Sequence, residues 1–314
     1  MSGPGTPQRG RTEPARLLLV HAHPDDETIM TGGTIAAYLA RGVAVRVVTF
    51  TLGEQGEVIG RQWAQLVADG GADQLGGYRI GELRAALAAL TPPGVAGPEP
   101  RFLGGAGRWR DSGMAGTPSA DHPRALARAP LSDLTAALVD ELVEFAPQVV
   151  VTYDAAGTYG HPDHVRVHEV TRAAIPVAQD RLGRRFKVYE SVSERSELER
   201  GLAAITHVPA GWRMPADGEL PSYPDEQITA AVDVSEVFER KVRALAAHAT
   251  QVTVAPSGTE YALSNNIVTP VAPTEYFIRT DVPATAGERE TDLFDGVEFS
   301  GAEPDGIESD GAGR

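Results

Sequence analysis

The segment His21-Ala22-His23-Pro24-Asp25-Asp26-Glu27 and the tetrad His161-Pro162-Asp163-His164 carry the imidazoles and carboxylates of a hydrolytic metal site. A structural zinc needs only ligands, whereas a hydrolase also needs an open coordination position and a base for the attacking water. His23, Asp26 and His164 form a three-ligand set that leaves a fourth position free. Asp25 is then the spare carboxylate. It is expected to act as general base, the alternatives being a second ligand or a loop cap. His161 is read as stabilising a tetrahedral intermediate or protonating a departing amine, and Asp163 as orienting one of the imidazoles. The tetrad also has a helix-starting explanation, which accounts for Pro162 and Asp163 better than for two histidines. Tyr159 can donate its hydroxyl to an oxyanion or pack over the cleft. His21 is read as a strand-end histidine, His168 as a surface or supporting group, and His248 as lying outside the ligand set.

Two clusters so far apart in the chain need a fold that brings them together. Leu17-Leu18-Leu19-Val20 is a short continuous apolar run, as expected for a central parallel strand. A helix including residues 32–39, with Gly42 as its terminator, and a strand over 43–50 complete a strand-helix-strand unit. Helices are expected over 78–90 and 131–145, the second with Ser132 as a cap. A strand over 148–153 precedes a helix over 165–174, and a further strand is expected at 187–192. The first 190 residues thus read as an α/β, Rossmann-like, mostly parallel sheet flanked by helices. Ligands collect beyond the carboxyl ends of such strands, which is where both clusters fall. Beyond it, a strand at 228–234, a helix near 237–248 and Glu275-Tyr276-Phe277 suggest a smaller C-terminal lobe. The expected division is a flexible leader at 1–14, a catalytic core at 15–190, a substrate-cleft lobe at 191–280 and an acidic tail at 281–314.

Composition narrows the function classes. The formal net charge is -15, which argues against nucleic acid or an anionic membrane as partner. No apolar run approaches the length of a membrane span, and the Gly-, Pro- and Arg-rich start has no signal-peptide core. The chain has no cysteine, so a metal must be held by His, Asp or Glu; this fits a cytoplasmic protein. Residues 281–314 hold ten acidic residues against two arginines, and their composition predicts a largely disordered tail. Leu293, Phe294, Val297 and Phe299 offer a short docking segment within it. No obligatory protein partner is evident.

HAHPDDE at 21–27, TLGEQGEVIG at 51–60, QLGGYRIGEL at 74–83, LGGAGRWRDSGMAGT at 103–117, VTYDAAGTYGHPDH at 151–164 and AAHATQV at 246–252 add a narrower signal. With these segments the chain resembles the LmbE-like/PIG-L zinc deacetylases over about residues 14–280, and within them the mycothiol-biosynthetic branch. The resemblance implies one divalent metal, Zn(II) or else Fe(II), on His23, Asp26 and His164, with Asp25 as base. It assigns Tyr159 and His161 to the transition state and Asp163 to orientation. It also implies that Arg79, Asp111 and Met114 contact an amino-sugar inositol, each being equally able to fasten a loop. The implied reaction releases acetate from an N-acetylglucosaminyl-inositol. Thr28-Ile29-Met30, Pro118–Pro130 and the acidic extension depart from the pattern. A mycothiol S-conjugate amidase is therefore carried as an alternative, with a non-catalytic carbohydrate-binding protein as a rival of another class.

Overall fold

Four consecutive apolar side chains are all buried together where a strand is covered on both faces. Leu17 to Val20 meet that condition in β1 (Arg16–His21) of the computed structural model, which describes residues 13–67, 74–282 and 289–297. Alternation sends Leu17 and Leu19 to one face, into a core with Ile35, Tyr38, Leu83 and Leu87. Leu18 and Val20 enter the opposite core with Leu134, Leu138, Val150 and Val167. Helices α1 (Asp26–Ala40) and α2 (Gln74–Leu90) build the first core, while α3 (Leu131–Phe145) and a later helix over Pro162–Leu182 build the second.

β1 pairs in parallel with β2 (Ala44–Thr49) on one side and β4 (Val149–Thr152) on the other, β3 being the short strand Arg101–Phe102. With β5 (Lys187–Val192), β6 (Ala230–Asp233) and β10 (Thr274–Arg279), the seven-stranded order is β3-β2-β1-β4-β5-β10-β6. The first five strands are parallel, and β10 runs antiparallel to both β5 and β6. The order reverses between β1 and β4, so a cleft opens beyond their carboxyl ends. The Asp154–His161 loop, with the short α4 (Gly157–Gly160), leads from β4 into α5 (Pro162–Leu182).

Residues 191–280, expected to form a smaller lobe at the cleft, divide between the main sheet and elements outside it. β6 and β10 extend the main sheet, and α7 (Phe238–Ala247) packs against α1 and α2. The small antiparallel sheet β7-β8-β9 (Thr253–Val254, Glu260–Ala262, Thr269–Pro270) stands outside it, as does α6 (Arg195–Ala204). The joint needs a glycine: a Cβ on Gly33 of α1 would lie 2.6 Å from Val234 side-chain atoms.

Two further expectations are corrected. Ser132 does not cap α3; Pro130 holds the cap position and the Ser132 hydroxyl bonds Asp133. Within the acidic segment, residues 289–297 pack on the body instead of forming a tail. Glu290 pairs with Ala230 at the edge of β6, Leu293 is fully buried, and Phe294 stacks edge-on against Tyr38. The docking alternative therefore describes Leu293, Phe294 and Val297, while Phe299 and residues 1–12 of the leader lie outside the described residues. Among the described residues no helix is long and apolar enough to cross a membrane.

Candidate metal centre

β1 ends at His21, and the chain turns through His23-Pro24-Asp25 into α1, whose first residue is Asp26. Asp25 takes φ 124°, a value that strains a residue with a Cβ. From β4, Tyr153 and the loop after it return to His161, the N-cap of α5, whose Nδ1 accepts the Asp163 N–H at 3.1 Å. Pro162 occupies the first helical turn, so the tetrad both starts a helix and faces the cleft.

The two clusters meet at one oxygen. Asp26 Oδ2 lies 3.2 Å from His23 Nδ1 and 3.4 Å from His164 Nε2. It also accepts the Tyr153 hydroxyl at 2.6 Å and the His23 N–H at 2.9 Å. His164 stacks on Tyr153 at 4.1 Å, is 1% exposed, and has no hydrogen-bond partner on either ring nitrogen. A buried imidazole left unbonded is costly in an apolar setting and natural where a cation takes a ring nitrogen. The donor atoms of His23, His161 and His164 also lie close enough together to hold one ion, as do those of His23, Asp111 and Asp163. The residues present therefore fit a divalent metal.

Around that set the charges are strongly biased. Burial disfavours a charged His23, yet Asp111, Asp163 and Asp26 together hold its pKa well above the usual imidazole value. Asp26 is likewise buried, and His164 and His23 hold its carboxyl well below the ordinary range. Three carboxylates about one imidazole make a pocket for positive charge. His161 is pushed down to about 4 by burial and by the neighbouring imidazoles of His23 and His164. Being neutral, and accepting at Nδ1, it carries its proton on Nε2. Asp25 is pushed up to about 6 by burial, with the Arg79 guanidinium 3.1 Å away pulling in the other direction.

The remaining expected residues fall as follows. Asp163 is fully buried, with Oδ2 accepting from Ser112 N–H at 2.9 Å and 3.3 Å from His23 Nε2. Asp111 is buried 3.6 Å from His23 Nε2 and accepts the Gln55 and Gly113 amides. Tyr159 and Met114 are about half exposed; Tyr159 lies edge-on to His161 and His164. Arg79 is buried, donating to the carbonyls of Gly53 and Pro24 as well as pairing with Asp25. It fastens the turn that carries Asp25. A Cβ on Gly53, at φ 64°, would sit 2.1 Å from its guanidinium. His21 is buried beside Thr31, and His168 Nδ1 is 2.9 Å from the Tyr153 carbonyl oxygen, both in supporting positions.

Sequence reading missed Tyr153, whose position as the residue after a central strand is the one available signal. It placed His248 outside the ligand set and gave Glu27 no role; their pairing, 2.9 Å apart and fully buried, could not be read from the sequence. Two cavities flank the Asp154–Gly160 loop. One, of about 180 Å³, runs from Ile29 to Tyr261 and Tyr276; the other, of about 670 Å³, lies between α6 and residues 215–223.

Comparison with known proteins agrees with this geometry. A family model described as PIG-L, GlcNAc-PI de-N-acetylase, matches residues 18–175, from β1 through the metal cluster and most of α5. The chain belongs to the PIG-L family. It is accordingly an N-deacetylase, a hydrolase of an amide bond. Among PIG-L relatives, the chain is 68% identical to the 1D-myo-inositol 2-acetamido-2-deoxy-alpha-D-glucopyranoside deacetylase of Gordonia bronchialis, over 90% of this chain and all of that one. It is 57% identical to the protein of the same name from Rhodococcus jostii RHA1, over 90% and 98% of the two chains. Among solved structures, 4-carboxy-2-hydroxymuconate hydratase from Pseudomonas putida KT2440 is 18% identical with a TM-score of 0.51, covering 87% of this chain and 99% of that one. That likeness concerns the fold alone.

Proposed function

We propose that the chain hydrolyses the N-acetyl group of 1-D-myo-inosityl-2-acetamido-2-deoxy-α-D-glucopyranoside, releasing acetate and glucosaminyl-inositol in mycothiol biosynthesis. The observation that carries the chemistry is the convergence of His23 and His164 on Asp26, with Asp25 close by but tied to Arg79. The relatives named above, which span nearly the whole chain, support the substrate.

In this reading His23, Asp26 and His164 would hold one divalent ion, Zn(II) or else Fe(II), with His23 Nδ1 and His164 Nε2 facing the Asp26 carboxylate. His23 Nε2–H then donates to Asp163, which fixes the tautomer and leaves Nδ1 free to ligate. Tyr153 donates to Asp26 and holds that carboxylate in place. When bound, the ion supplies Lewis acidity at the acetyl carbonyl and lowers the pKa of the attacking water.

The protein's own groups do the rest. Asp25 accepts a proton from the water as its oxygen bonds the acetyl carbon. The carbonyl oxygen gains charge and is met by His161 Nε2–H and the Tyr159 hydroxyl. Breaking the C–N bond requires a proton on nitrogen, which Asp25 returns from the one it took from water while His161 keeps its hydrogen bond to the oxyanion, and acetate and the free amine leave. His161 suits donation better than ligation, because its Nδ1 already accepts a helix N–H. Asp111, beside His23, and the half-exposed Met114 are the candidate sugar contacts, and Arg79 acts by holding Asp25.

The test is incubation of zinc-loaded and iron-loaded protein with N-acetylglucosaminyl-inositol and, in parallel, with a mycothiol S-conjugate, measuring acetate and free amine. Acetate release from the first at the greater kcat/KM is expected. Faster cleavage of the conjugate would replace the deacetylase reading with an amidase one.

A further inference from the structure

Asp25 has a positive φ of 124°, and a carboxylate held on a strained backbone needs something to hold it. The Asp25 N–H donates to Glu27 Oε2 at 3.0 Å. The other oxygen, Glu27 Oε1, accepts from Thr28 Oγ1 at 2.5 Å and lies 2.9 Å from His248 Nε2, which must donate to a carboxylate oxygen. Glu27 and His248 are both fully buried. His248 is itself rigidly held at the end of α7. Its carbonyl accepts the Gln251 and Val252 amides, and Thr250 bonds both carboxylate oxygens of Glu82 on α2.

Burying a carboxylate is costly, and an apolar pair of the same volume commonly packs as well or better. His248 Nδ1 adds to the cost, being buried without a partner. What an apolar pair cannot supply is an acceptor for the Asp25 amide. We propose that His248, acting through Glu27, is a positioning residue that locks the strained Asp25 backbone and so aims its carboxylate at the reacting water. Without that chain of bonds, Asp25 relaxes toward an ordinary φ and its carboxylate swings away from the ligand cluster. The inference rests on Asp25 being the base.

The test uses the full-length, metal-loaded protein and N-acetylglucosaminyl-inositol. His248→Leu is expected to lower kcat by about 10- to 100-fold, since small misplacements of reacting groups have effects of that order, with KM and bound metal little changed. His248→Gln, whose amide can still donate to Glu27, is expected to recover most of the loss. Introduced into Asp25→Asn protein, His248→Leu should have almost no further effect on residual turnover, because the group it positions is gone. Glu27→Leu, which removes the acceptor of the Asp25 amide, provides a second variant if His248→Leu fails to fold, with the same expected kcat loss and the same silence in the Asp25→Asn background. Equal losses in both backgrounds, or wild-type kcat in folded His248→Leu protein, would overturn the positioning role. Full turnover by Asp25→Asn alone would instead remove the base assignment, a separate result read from the single variant.

Discussion

At the level of single residues, ligands and base differ in what their loss should do. His23→Ala, Asp26→Ala and His164→Ala are each expected to lose both metal and hydrolysis, because each removes one of three proposed donors. Asp25→Asn should keep metal while kcat falls about 10²- to 10⁴-fold, the usual contribution of a general base. Metal content by atomic absorption beside turnover separates the two patterns; near-wild-type turnover by metal-replete Asp25→Asn would reject the base. The electrostatics add a pH test. The Arg79 cation favours ionised Asp25 against burial, and a base must be ionised to work. Arg79→Met should therefore raise the pKa of Asp25 and move the acid limb of kcat/KM to higher pH. An acid limb that stays put, with intact circular dichroism, would show that Arg79 does not tune this group. Reading ligand-type residues and their spacing was enough to nominate His23, Asp25, Asp26, His161 and His164. The burial of Arg79, and the Tyr153 bond to Asp26, depend on neighbours from distant segments and could not be read locally.

Among the elements, the C-terminal segment 289–297 shows how composition misleads. Its acidic, glycine-rich surroundings predict disorder, yet Leu293 fills a pocket against α1 and Asp292 accepts from Tyr38 and pairs with Arg41. Leu293→Ala is expected to cost about 2–5 kcal/mol, the range for a leucine removed from a core. Ending the chain at Val282 should lower Tm, whereas ending it at Val297 keeps every one of these contacts and should not. Identical melts for the two truncations would mean that the packing is energetically neutral. Burial would raise the pKa of Asp292, but Arg41, the Phe294 amide and the Tyr38 hydroxyl outweigh it and hold the carboxyl below its ordinary value. Its folded pKa is thus the lower one. The stability it adds is full above the unfolded value of about 4 and is lost as pH falls through the folded value. Asp292→Asn should flatten that part of the stability-pH curve.

For the molecule as a whole, cores on both faces of the sheet hold the fold, while the candidate metal cluster lies beyond the strand ends. Chelation is therefore expected to abolish hydrolysis and lower Tm, while leaving far-UV circular dichroism at 25 °C unchanged; collapse of the dichroism would make the ion structural. Zn(II) and Fe(II) added back separately identify the working metal by restored turnover. Much of this architecture was legible beforehand. Apolar runs such as Leu17–Val20 and Val149–Val151 suit a doubly covered sheet, and parallel strands deliver their following loops to one edge. Local sequence thus pointed to β1, β2, β4 and β5, the helices between them and the meeting of two remote histidine clusters. It could not dictate that β6 and β10 would join the same sheet antiparallel, nor that His248 would reach Glu27 and Leu293 would reach α1. The last two contacts join residues more than two hundred positions apart, and the free energy of all of them comes from shape and burial that exist only once the chain has closed around them.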